Sequence, residues 1–312
     1  MLEPIIQKQK AVLIDDLFNT PTTSLLTFLF EPHLFASSQE RLTKTSVSYA
    51  SIEGKDLYLL DGFFTPEEGD EMRKFSKNTS FSRNSYGSSE AIAKGQKPAR
   101  SMNGKERWQF FANPPKAIKE VYKFFAMLGA KLGGEVTTLP WELCDASSHG
   151  SPAVIANKLE EASEESMGFG KHQDCSPEKR ISFGIPVLYR EGELHGSQFI
   201  NGAPGKPWLI SVMVYVAEEG FLPDYRMGTV FYQKDGTIAV RADCTHMRMV
   251  LFEGDIFHSM EESKIPMDVK MWRVSYVFKM IVNPKREGES MKTAFFEMIK
   301  QVCPQVAISQ LE

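Results

Sequence analysis

The sequence predicts an α+β protein with a mainly β core, in which a sandwich of the jelly-roll type is braced by helices from both ends of the chain. Two observations predict this fold. After about Ala153, short runs of β-branched and aromatic residues follow one another with Gly, Pro or Asp between them, a spacing typical of sandwiches and barrels. Before and after that region, apolar residues recur at the spacing of one helix face.

Three segments are predicted along the 312 residues. Residues 1–55 are expected to form an N-terminal helical extension, and residues 284–312 a C-terminal helix. Between them, residues 56–283 are expected to form one domain, with helical support at 64–134 and the jelly-roll core at about 153–282.

Local signals place the helices of this arrangement. Thr65 is a suitable N-cap, followed by a proline at the first helical position and by Glu68 at the position that completes a capping box. The helix that they begin is predicted to run from about 66 to 77. Two further helices are predicted at Pro115–Leu132 and near Ser290–Val302, where apolar residues have helical spacing.

The strands are predicted from short apolar runs that are bounded by turn residues. The predicted strands are Asp56–Asp61, Ile181–Tyr189, Trp208–Ala217, Thr229–Gln233, Thr237–Arg241, Met247–Phe252, Ile256–Ser259 and Met271–Val282. Their spacing favours a β-sandwich or barrel as the core of the protein.

The composition argues against several classes of protein. An apolar fraction of 42%, a charged fraction of 24% and a net charge of −4 are ordinary for a globular protein, and they do not indicate disorder or a surface that generally binds polyanions. No apolar run approaches the roughly 18–20 residues of a membrane-spanning helix, and the N-terminus lacks the pattern of a secretory signal. We therefore expect a cytoplasmic protein without membrane contacts. Its four cysteines are far apart in sequence and are expected to be reduced thiols: Cys144, Cys175, Cys244 and Cys303.

The first candidate for chemistry is the triplet formed by His172, Gln173 and Asp174. On an extended strand, residues two apart project to the same side, so the imidazole and the carboxylate would lie next to each other as a chelating pair. A polar strand end is an equally simple explanation of the triplet taken alone, because this pattern arises by chance in many proteins.

A third donor makes a metal site the better interpretation. His258 follows a buried strand and a tight Gly-Asp turn, and two histidines with one carboxylate form the facial triad suited to non-haem Fe(II). A lone histidine beside apolar residues is more often part of the core. His246, at the start of a strand, is the main rival as third ligand, while His149 and His195 lie in loop-like sequence. Zinc hydrolases also use two histidines and a carboxylate, so a zinc site is an alternative.

The last predicted strand carries two cations on one face. Alternation places Arg273, Ser275, Val277 and Lys279 on the same side of this strand. A guanidinium inside such an aromatic strand is costly unless it is paired, and its planar fork suits a carboxylate. Either a dicarboxylate lies between the metal and Arg273, or this face meets solvent.

The spacing His172-x-Asp174, His258 and Arg273-x-Ser275, on a string of short strands, resembles the Fe(II)/2-oxoglutarate-dependent oxygenase superfamily. The resemblance extends from the first predicted strand to the last. It implies a double-stranded β-helix that binds Fe(II) and uses 2-oxoglutarate and O₂ as cosubstrates. It further implies that the two histidines and the aspartate bind the metal, that Arg273 pairs with the distal carboxylate of 2-oxoglutarate, and that Ser275 donates a hydrogen bond to it.

Two subfamilies resemble different parts of the chain. The segment from Leu59 to Glu68 resembles the strand-helix entry of prolyl-hydroxylase-like members, whereas the approach to the metal resembles that of AlkB-like members. The second resemblance implies that Asn157 contacts the cosubstrate. Two residues depart from the AlkB pattern, because Leu159 replaces a tyrosine and Lys279 replaces a second arginine. Lys279 is nevertheless kept as a candidate cosubstrate-binding residue.

The sequence is less informative about the substrate. Residues 72–109 contain nine Lys or Arg and two Glu, a net charge of +7, with Phe81, Tyr86 and Trp108 between them. Such a segment is either a lid over a substrate or a solvated loop. An acidic run at residues 160–165 argues against nucleic acid.

Three hypotheses about function follow. The favoured one is a dioxygenase that hydroxylates a C–H bond of a protein or peptide side chain, with release of succinate and CO₂. The second is an AlkB-like nucleic-acid demethylase that uses the basic segment to bind phosphates. The third is a small-molecule hydroxylase or a non-enzymatic metal-binding sandwich.

Overall fold

The computed structural model describes four α-helices, one short 3-10 helix at Pro223–Tyr225, thirteen strands and the loops between many of them. The described residues are 35–83, 100–101, 110, 113–132, 135–138, 154–160, 171–174, 201–206, 208–261, 263–266, 268–269, 271–283, 288–303 and 307–310. The helices are α1 Phe35–Lys44, α2 Pro66–Asn78, α3 Lys116–Leu132 and α4 Met291–Val302. The strands are β1 Ser46–Ile52, β2 Lys55–Asp61, β3 Ser82–Arg83, β4 Arg100–Ser101, β5 Glu135–Thr138, β6 Val154–Glu160, β7 Trp208–Ala217, β8 Thr229–Tyr232, β9 Ile238–Ala242, β10 Met249–Glu253, β11 Phe257–Met260, β12 Trp272–Asn283 and β13 Ala307–Gln310.

The helix start predicted at Thr65 is confirmed. The Thr65 side chain accepts a hydrogen bond from the Glu68 N–H at 3.3 Å, and the Glu68 carboxylate accepts one from the Thr65 N–H at 3.0 Å. Two of the orphan N–H groups at the start of α2 are therefore satisfied reciprocally. Arg41 of α1 pairs with the same glutamate, at 2.7 Å, and so fastens α1 to the start of α2.

Two sheets make up the β core. The larger sheet has the order β13-β1-β2-β10-β7-β12-β6-β4-β3, with β5 paired to the far end of β12. The smaller sheet has the order β11-β8-β9. Strands β7, β10 and β12 form antiparallel pairs at the centre of the larger sheet, whereas β1 and β13 pair in parallel. The predicted α+β class is therefore observed, while closure into a double-stranded β-helix stays a prediction.

The two faces of the larger sheet pack against different layers. One face, with Val214, Tyr276 and Phe278, belongs to a large apolar cluster that includes residues of all four helices. The other face, with Tyr215 and Phe252, packs against residues of the smaller sheet. The helices thus cover one side of the larger sheet, and the space between the two sheets lies on the other side.

The ends of the chain differ from the predicted pattern in detail. The segment 1–55 was expected to be helical, and its described part consists of α1 followed by β1, which forms a hairpin with β2 through Glu53 and Gly54. The segment 284–312 contains β13 as well as α4, because the end of the chain pairs with β1. The boundary placed at residue 55 therefore falls inside a hairpin, and the division into domains stays a prediction. The strand predicted at Ile181–Tyr189 lies outside the described residues.

Within the described part of the chain, no helix is both long and apolar enough to cross a membrane. Cys244 and Cys303 are free and buried, and burial raises the pKa of each thiol to about 11. These two cysteines are therefore protonated thiols near neutral pH. Cys144 and Cys175 lie outside the described residues.

Candidate metal centre

The structure brings the three predicted donor residues together. His172, Asp174 and His258 each offer one ligand atom, and these atoms all lie within 4.8 Å of one another. The Nε2 atoms of the two histidines are each 3.8 Å from an oxygen of Asp174. The imidazole rings have their centroids 4.3 Å apart.

Backbone pairing brings the two histidines next to each other. His172 and His258 exchange two backbone hydrogen bonds of 2.9 Å, so the metal-binding triplet lies alongside β11 at the edge of the smaller sheet. The Asp174 N–H donates to the Gly254 carbonyl at 2.7 Å. A segment that precedes β7 in sequence is thus held in register with the strand that carries the second histidine.

The hydrogen bond of His258 selects the tautomer that a metal ligand needs. Its Nδ1 lies 2.9 Å from the carbonyl oxygen of Ile256, a group that can only accept, so Nδ1 carries the proton in the neutral ring. The lone pair of Nε2 is then directed toward Asp174. Such a carbonyl partner on the other ring nitrogen is the usual companion of a metal-binding histidine.

Ser211 orients the carboxylate, and sequence reasoning did not identify it. Its hydroxyl donates to Oδ2 of Asp174 at 2.5 Å, and both residues are buried. Ser211 is the one small hydroxyl residue in the otherwise apolar strand β7. A serine within this apolar strand could have been recognised from the sequence as a residue with a specific contact, since a buried polar side chain needs a partner.

Aromatic side chains cover one side of the centre, and the three donor side chains differ in solvent exposure. Phe252 and Phe231 pack against the His258 ring, with centroids at 4.7 and 6.0 Å. The side chain of His258 is 9% exposed and that of Asp174 is 5% exposed, whereas that of His172 is 42% exposed. The centre is therefore closed on the side of His258 and open on the side of His172.

The donor set fits a divalent metal ion. Donors about 2 Å from a shared ion are about 3 Å apart when they occupy neighbouring coordination positions, so the separations of 3.8 Å must shorten when an ion binds. Two imidazoles and one carboxylate leave coordination positions open, which is the ligand set of non-haem Fe(II) oxygenases. His172, Asp174 and His258 are the residues that would hold the ion.

Arg273 is buried at the opposite end of the same sheet face. It is 3% exposed, and its guanidinium carbon lies 5.8 Å from the centre of the Tyr215 ring. Its Nε atom has no hydrogen-bond partner, and no carboxylate among the described residues forms an ion pair with it. The alternative in which this face meets solvent is therefore wrong for the part of the strand that carries Arg273 and Ser275. A cation buried in this way points to an anion as its missing partner.

The other predicted cosubstrate residues lie at different points along the sheet. Ser275 is 4% exposed and is directly opposite Tyr215 in β7 and Asn157 in β6. Lys279 is opposite Ser211, at the end of the face that carries the metal centre. The side chains of Asn157 and Lys279 lie outside what the structure describes.

His246, the rival third ligand, is directed elsewhere. Its Nδ1 accepts a hydrogen bond of 3.2 Å from the Ala217 N–H, and its Nε2 faces Gly69 of α2. Burial and the nearby cation of Arg73 lower the pKa of His246 to about 4. It is therefore a neutral core histidine between α2 and the end of β7. His149, His195 and most of the basic segment 72–109 lie outside the described residues.

A two-sheet β core thus holds two imidazoles and one carboxylate as a candidate metal site, with a buried guanidinium on the same sheet face. No protein-family model and no curated protein matches the sequence. Solved structures do match, at low identity.

Three of these structures illustrate the range of the similarity. A prolyl-4-hydroxylase of Pseudomonas putida is 11% identical, with a TM-score of 0.34 over 81% of this chain and 100% of the other. A prolyl hydroxylase of Trichoplax adhaerens, in complex with a hypoxia-inducible-factor peptide, is 10% identical, with a TM-score of 0.39 over 84% and 94%. HygX of Streptomyces hygroscopicus, with nickel and 2-oxoglutarate bound, is 11% identical, with a TM-score of 0.41 over 75% and 84%. All three TM-scores are below 0.5, so the activity has to be inferred from the side chains of this chain.

Proposed function

We propose that the protein is an Fe(II)- and 2-oxoglutarate-dependent dioxygenase that hydroxylates a C–H bond, with release of succinate and CO₂. The single observation that carries the proposal is the buried guanidinium of Arg273 on the sheet face that also supports the metal centre. A metal centre alone would suit many activities. A metal centre together with a buried cation that lacks a carboxylate partner in the described part of the chain suits a carboxylate cosubstrate.

Strand β7 links the two ends of this site. Ser211 contacts Asp174 and Tyr215 contacts Arg273, and both residues project from the face of β7 that meets the smaller sheet. Four residues along a strand span about 13 Å. The side chains of Asp174 and Arg273 occupy part of the distance between the two ends. We infer that the remaining distance suits a small dicarboxylate.

Each residue has a role that follows from its contacts. His172, Asp174 and His258 hold the metal, and the carbonyl of Ile256 keeps the lone pair of His258 available to it. Iron and 2-oxoglutarate, when bound, supply the activation of O₂ and the oxidation of the C–H bond. The guanidinium of Arg273 binds the distal carboxylate, since a buried cation gains most from an anion in a site that excludes water.

For the substrate we favour a protein or peptide side chain. The centre is open on the side of His172, whose side chain is 42% exposed, so a side chain presented by another protein can approach there. The acidic run at residues 160–165 opposes the approach of a polyanion. A nucleic-acid substrate is the alternative and rests on the net charge of +7 in residues 72–109.

The test compares Fe(II)-dependent succinate release by the wild-type protein with that of two site variants. We expect His172→Ala to lower the rate at least about 100-fold, because it removes one of three protein ligands. We expect Arg273→Met to raise the KM for 2-oxoglutarate at least about 30-fold, in line with the loss of a buried, charge-assisted hydrogen bond. Because the replaced cation has no carboxylate partner among the described residues, Arg273→Met should not lower the melting temperature.

His246→Gln is the matched control, since it replaces a second imidazole of the core that lies outside the site. It should leave the KM for 2-oxoglutarate unchanged. Unaltered succinate release in His172→Ala and Arg273→Met would exclude the proposed activity. Parallel assays with a peptide library and with methylated oligonucleotides then separate the two substrate classes, since only one class should raise succinate release above the substrate-free rate.

A further inference from the structure

The turn between β10 and β11 contacts the metal centre through three successive carbonyl groups. The Gly254 carbonyl accepts from the Asp174 N–H at 2.7 Å, and the Asp255 carbonyl accepts from the Gln173 amide at 2.7 Å. The Ile256 carbonyl lies 2.9 Å from Nδ1 of His258. This turn therefore sets the positions of two of the three metal ligands relative to each other.

The turn is itself held by a residue from a distant part of the chain. Nζ of Lys55, at the start of β2, donates to the Asp255 carbonyl at 2.9 Å and lies 3.0 Å from Oδ2 of the Asp255 carboxylate. Asn201 donates to the other carboxylate oxygen at 3.3 Å. Asp255 is 3% exposed, so little solvent is available to replace the ammonium group.

Lys55 and Gln173 act on the same acceptor. Both donate to the carbonyl oxygen of Asp255, Lys55 from the larger sheet and Gln173 from the metal-binding triplet. A carbonyl oxygen has two lone pairs, so the two donors together satisfy it. If the ammonium group is removed, the Asp255 carboxylate keeps, among the described residues, only the long contact to Asn201. A buried carboxylate with so little compensation is driven to move toward solvent. Such a movement displaces the carbonyl groups on both sides of Asp255.

We propose that Lys55 is a positioning residue of the metal centre, which acts through Asp255 and Gln173 to hold Asp174 and His258 at the spacing that binds a metal ion. The inference rests on the proposed metal site and does not depend on the reaction or its substrate. Lys55 is not one of the three candidate ligands, and it lies about 120 residues before the ligand triplet in sequence.

The experiment measures the dissociation constant of Mn²⁺ for the full-length, metal-free protein by calorimetry. We expect Lys55→Met to raise this constant about 10-fold, the lower end of the effect of residues that orient metal ligands. Lys55→Arg, which keeps the cation, should restore most of the affinity. Lys44→Met is the matched control, because Lys44 is an exposed lysine whose ion pair with Glu40 lies on α1; it should leave the constant unchanged.

Gln173→Leu provides a second, independent variant. It removes the other donor to the Asp255 carbonyl and should also weaken Mn²⁺ binding about 10-fold. Because both variants act through one group, the double variant should lose less than the product of the two single effects, that is, less than about 100-fold. If Lys55 had a role in stability alone, Lys55→Met would lower the melting temperature. The Mn²⁺ dissociation constant would then stay unchanged, and the double variant would bind Mn²⁺ as Gln173→Leu does.

The outcomes distinguish this inference from the proposed function. If the wild-type protein does not bind Mn²⁺, both the metal site and the role of Lys55 are refuted. If the wild-type protein binds Mn²⁺ and Lys55→Met binds it equally well, the role of Lys55 is refuted and the metal site stands. If Lys55→Met does not fold, Gln173→Leu decides, and an unchanged constant in that variant refutes the inference.

Discussion

The two faces of the larger sheet have different compositions, although the same strands form both. The face toward the helices is almost wholly apolar, with Val212, Val214 and Val216 in β7 next to Val274 and Tyr276 in β12. The opposite face carries the polar groups of the candidate site, including Ser211, Tyr215, Arg273 and Ser275. Because strand residues alternate between faces, one set of strands can supply stability on one side and chemistry on the other.

Two buried charges show the same division. On the helix side, Glu253 at the end of β10 has a partner, since Nζ of Lys292 in α4 lies 2.6 Å from its carboxylate. On the side of the smaller sheet, Arg273 has no such partner among the described residues. The two charges therefore differ in how the described part of the protein compensates them. Three predictions test this contrast, from the largest expected effect to the smallest.

The largest effect is expected from a matched pair of phenylalanines on the two faces. Phe278 packs against Tyr122 and Phe125 of α3, whereas Phe252 packs against the ring of His258, and both are at most 2% exposed. Replacing either by Ala should lower the free energy of unfolding by about 3–5 kcal/mol, because each leaves a cavity in a packed core.

Only Phe252→Ala should also weaken Mn²⁺ binding, since only that ring supports a metal ligand. Chemical denaturation gives the stabilities of Phe252→Ala and Phe278→Ala, and calorimetry at a temperature where both are folded gives the Mn²⁺ constants. Equal loss of Mn²⁺ affinity in both variants would contradict the division between the faces.

The sequence was sufficient to predict the elements whose signals are local. Strand β7 was predicted at its observed bounds, Trp208–Ala217, because ten successive buried residues between turn segments have few alternatives. Helix α2 was predicted from its capping box, which involves residues three apart. The donors His172, Asp174 and His258 were predicted from their residue types and spacing, and the structure brings them together.

The features that the sequence did not predict depend on contacts between distant residues. Strand β1, with the sequence SVSYASI, alternates polar and apolar residues only as far as Tyr49. It pairs with β13 and with β2, and the pairing with β2 continues past that break. Ser211 is 37 residues from Asp174, and Lys55 is 200 residues from Asp255. No local pattern marks such pairs, since only the folded sheet brings their atoms into contact.

An intermediate effect is expected from the titration of Glu253. Burial, only partly offset by Lys292, raises the pKa of Glu253 to about 7, above the usual value near 4.5. Since the folded state then binds the proton more tightly than the unfolded state, the resulting stabilisation is complete below about pH 4.5 and is lost as the pH rises through 7. The loss is at most about 3 kcal/mol, because each unit of pKa corresponds to about 1.4 kcal/mol.

Thermal unfolding from pH 5 to pH 8 measures this effect. Glu253→Gln should have a flatter dependence of melting temperature on pH than the wild-type protein, whereas its Mn²⁺ constant should stay close to that of the wild type. His246, whose pKa is lowered to about 4, has the opposite effect, because it destabilises the folded protein as the pH falls. This contribution is the same in the wild-type protein and in Glu253→Gln, so it cancels when their pH profiles are compared. Identical pH profiles would show that Glu253 does not titrate in this range.

The smallest effect is expected from a pair of tyrosines on the two faces. The Tyr276 hydroxyl lies 2.8 Å from the hydroxyl of Ser76 on the helix side, and the Tyr215 hydroxyl lies 2.6 Å from that of Thr229 on the other side. Replacing either tyrosine by Phe should cost about 1 kcal/mol, because each variant loses one buried hydrogen bond and leaves the partner hydroxyl without it.

The two tyrosine variants should differ in the affinity for 2-oxoglutarate. The Tyr215 ring lies against the guanidinium of Arg273, the group proposed to bind the cosubstrate, so freedom gained by that ring reaches this group, whereas Tyr276 faces the helices. We therefore expect an increase of a few-fold in the KM for 2-oxoglutarate in Tyr215→Phe and no change in Tyr276→Phe. An equal increase in both variants would mean that overall stability controls the cosubstrate site, and the separation of stability and chemistry between the faces would then be lost.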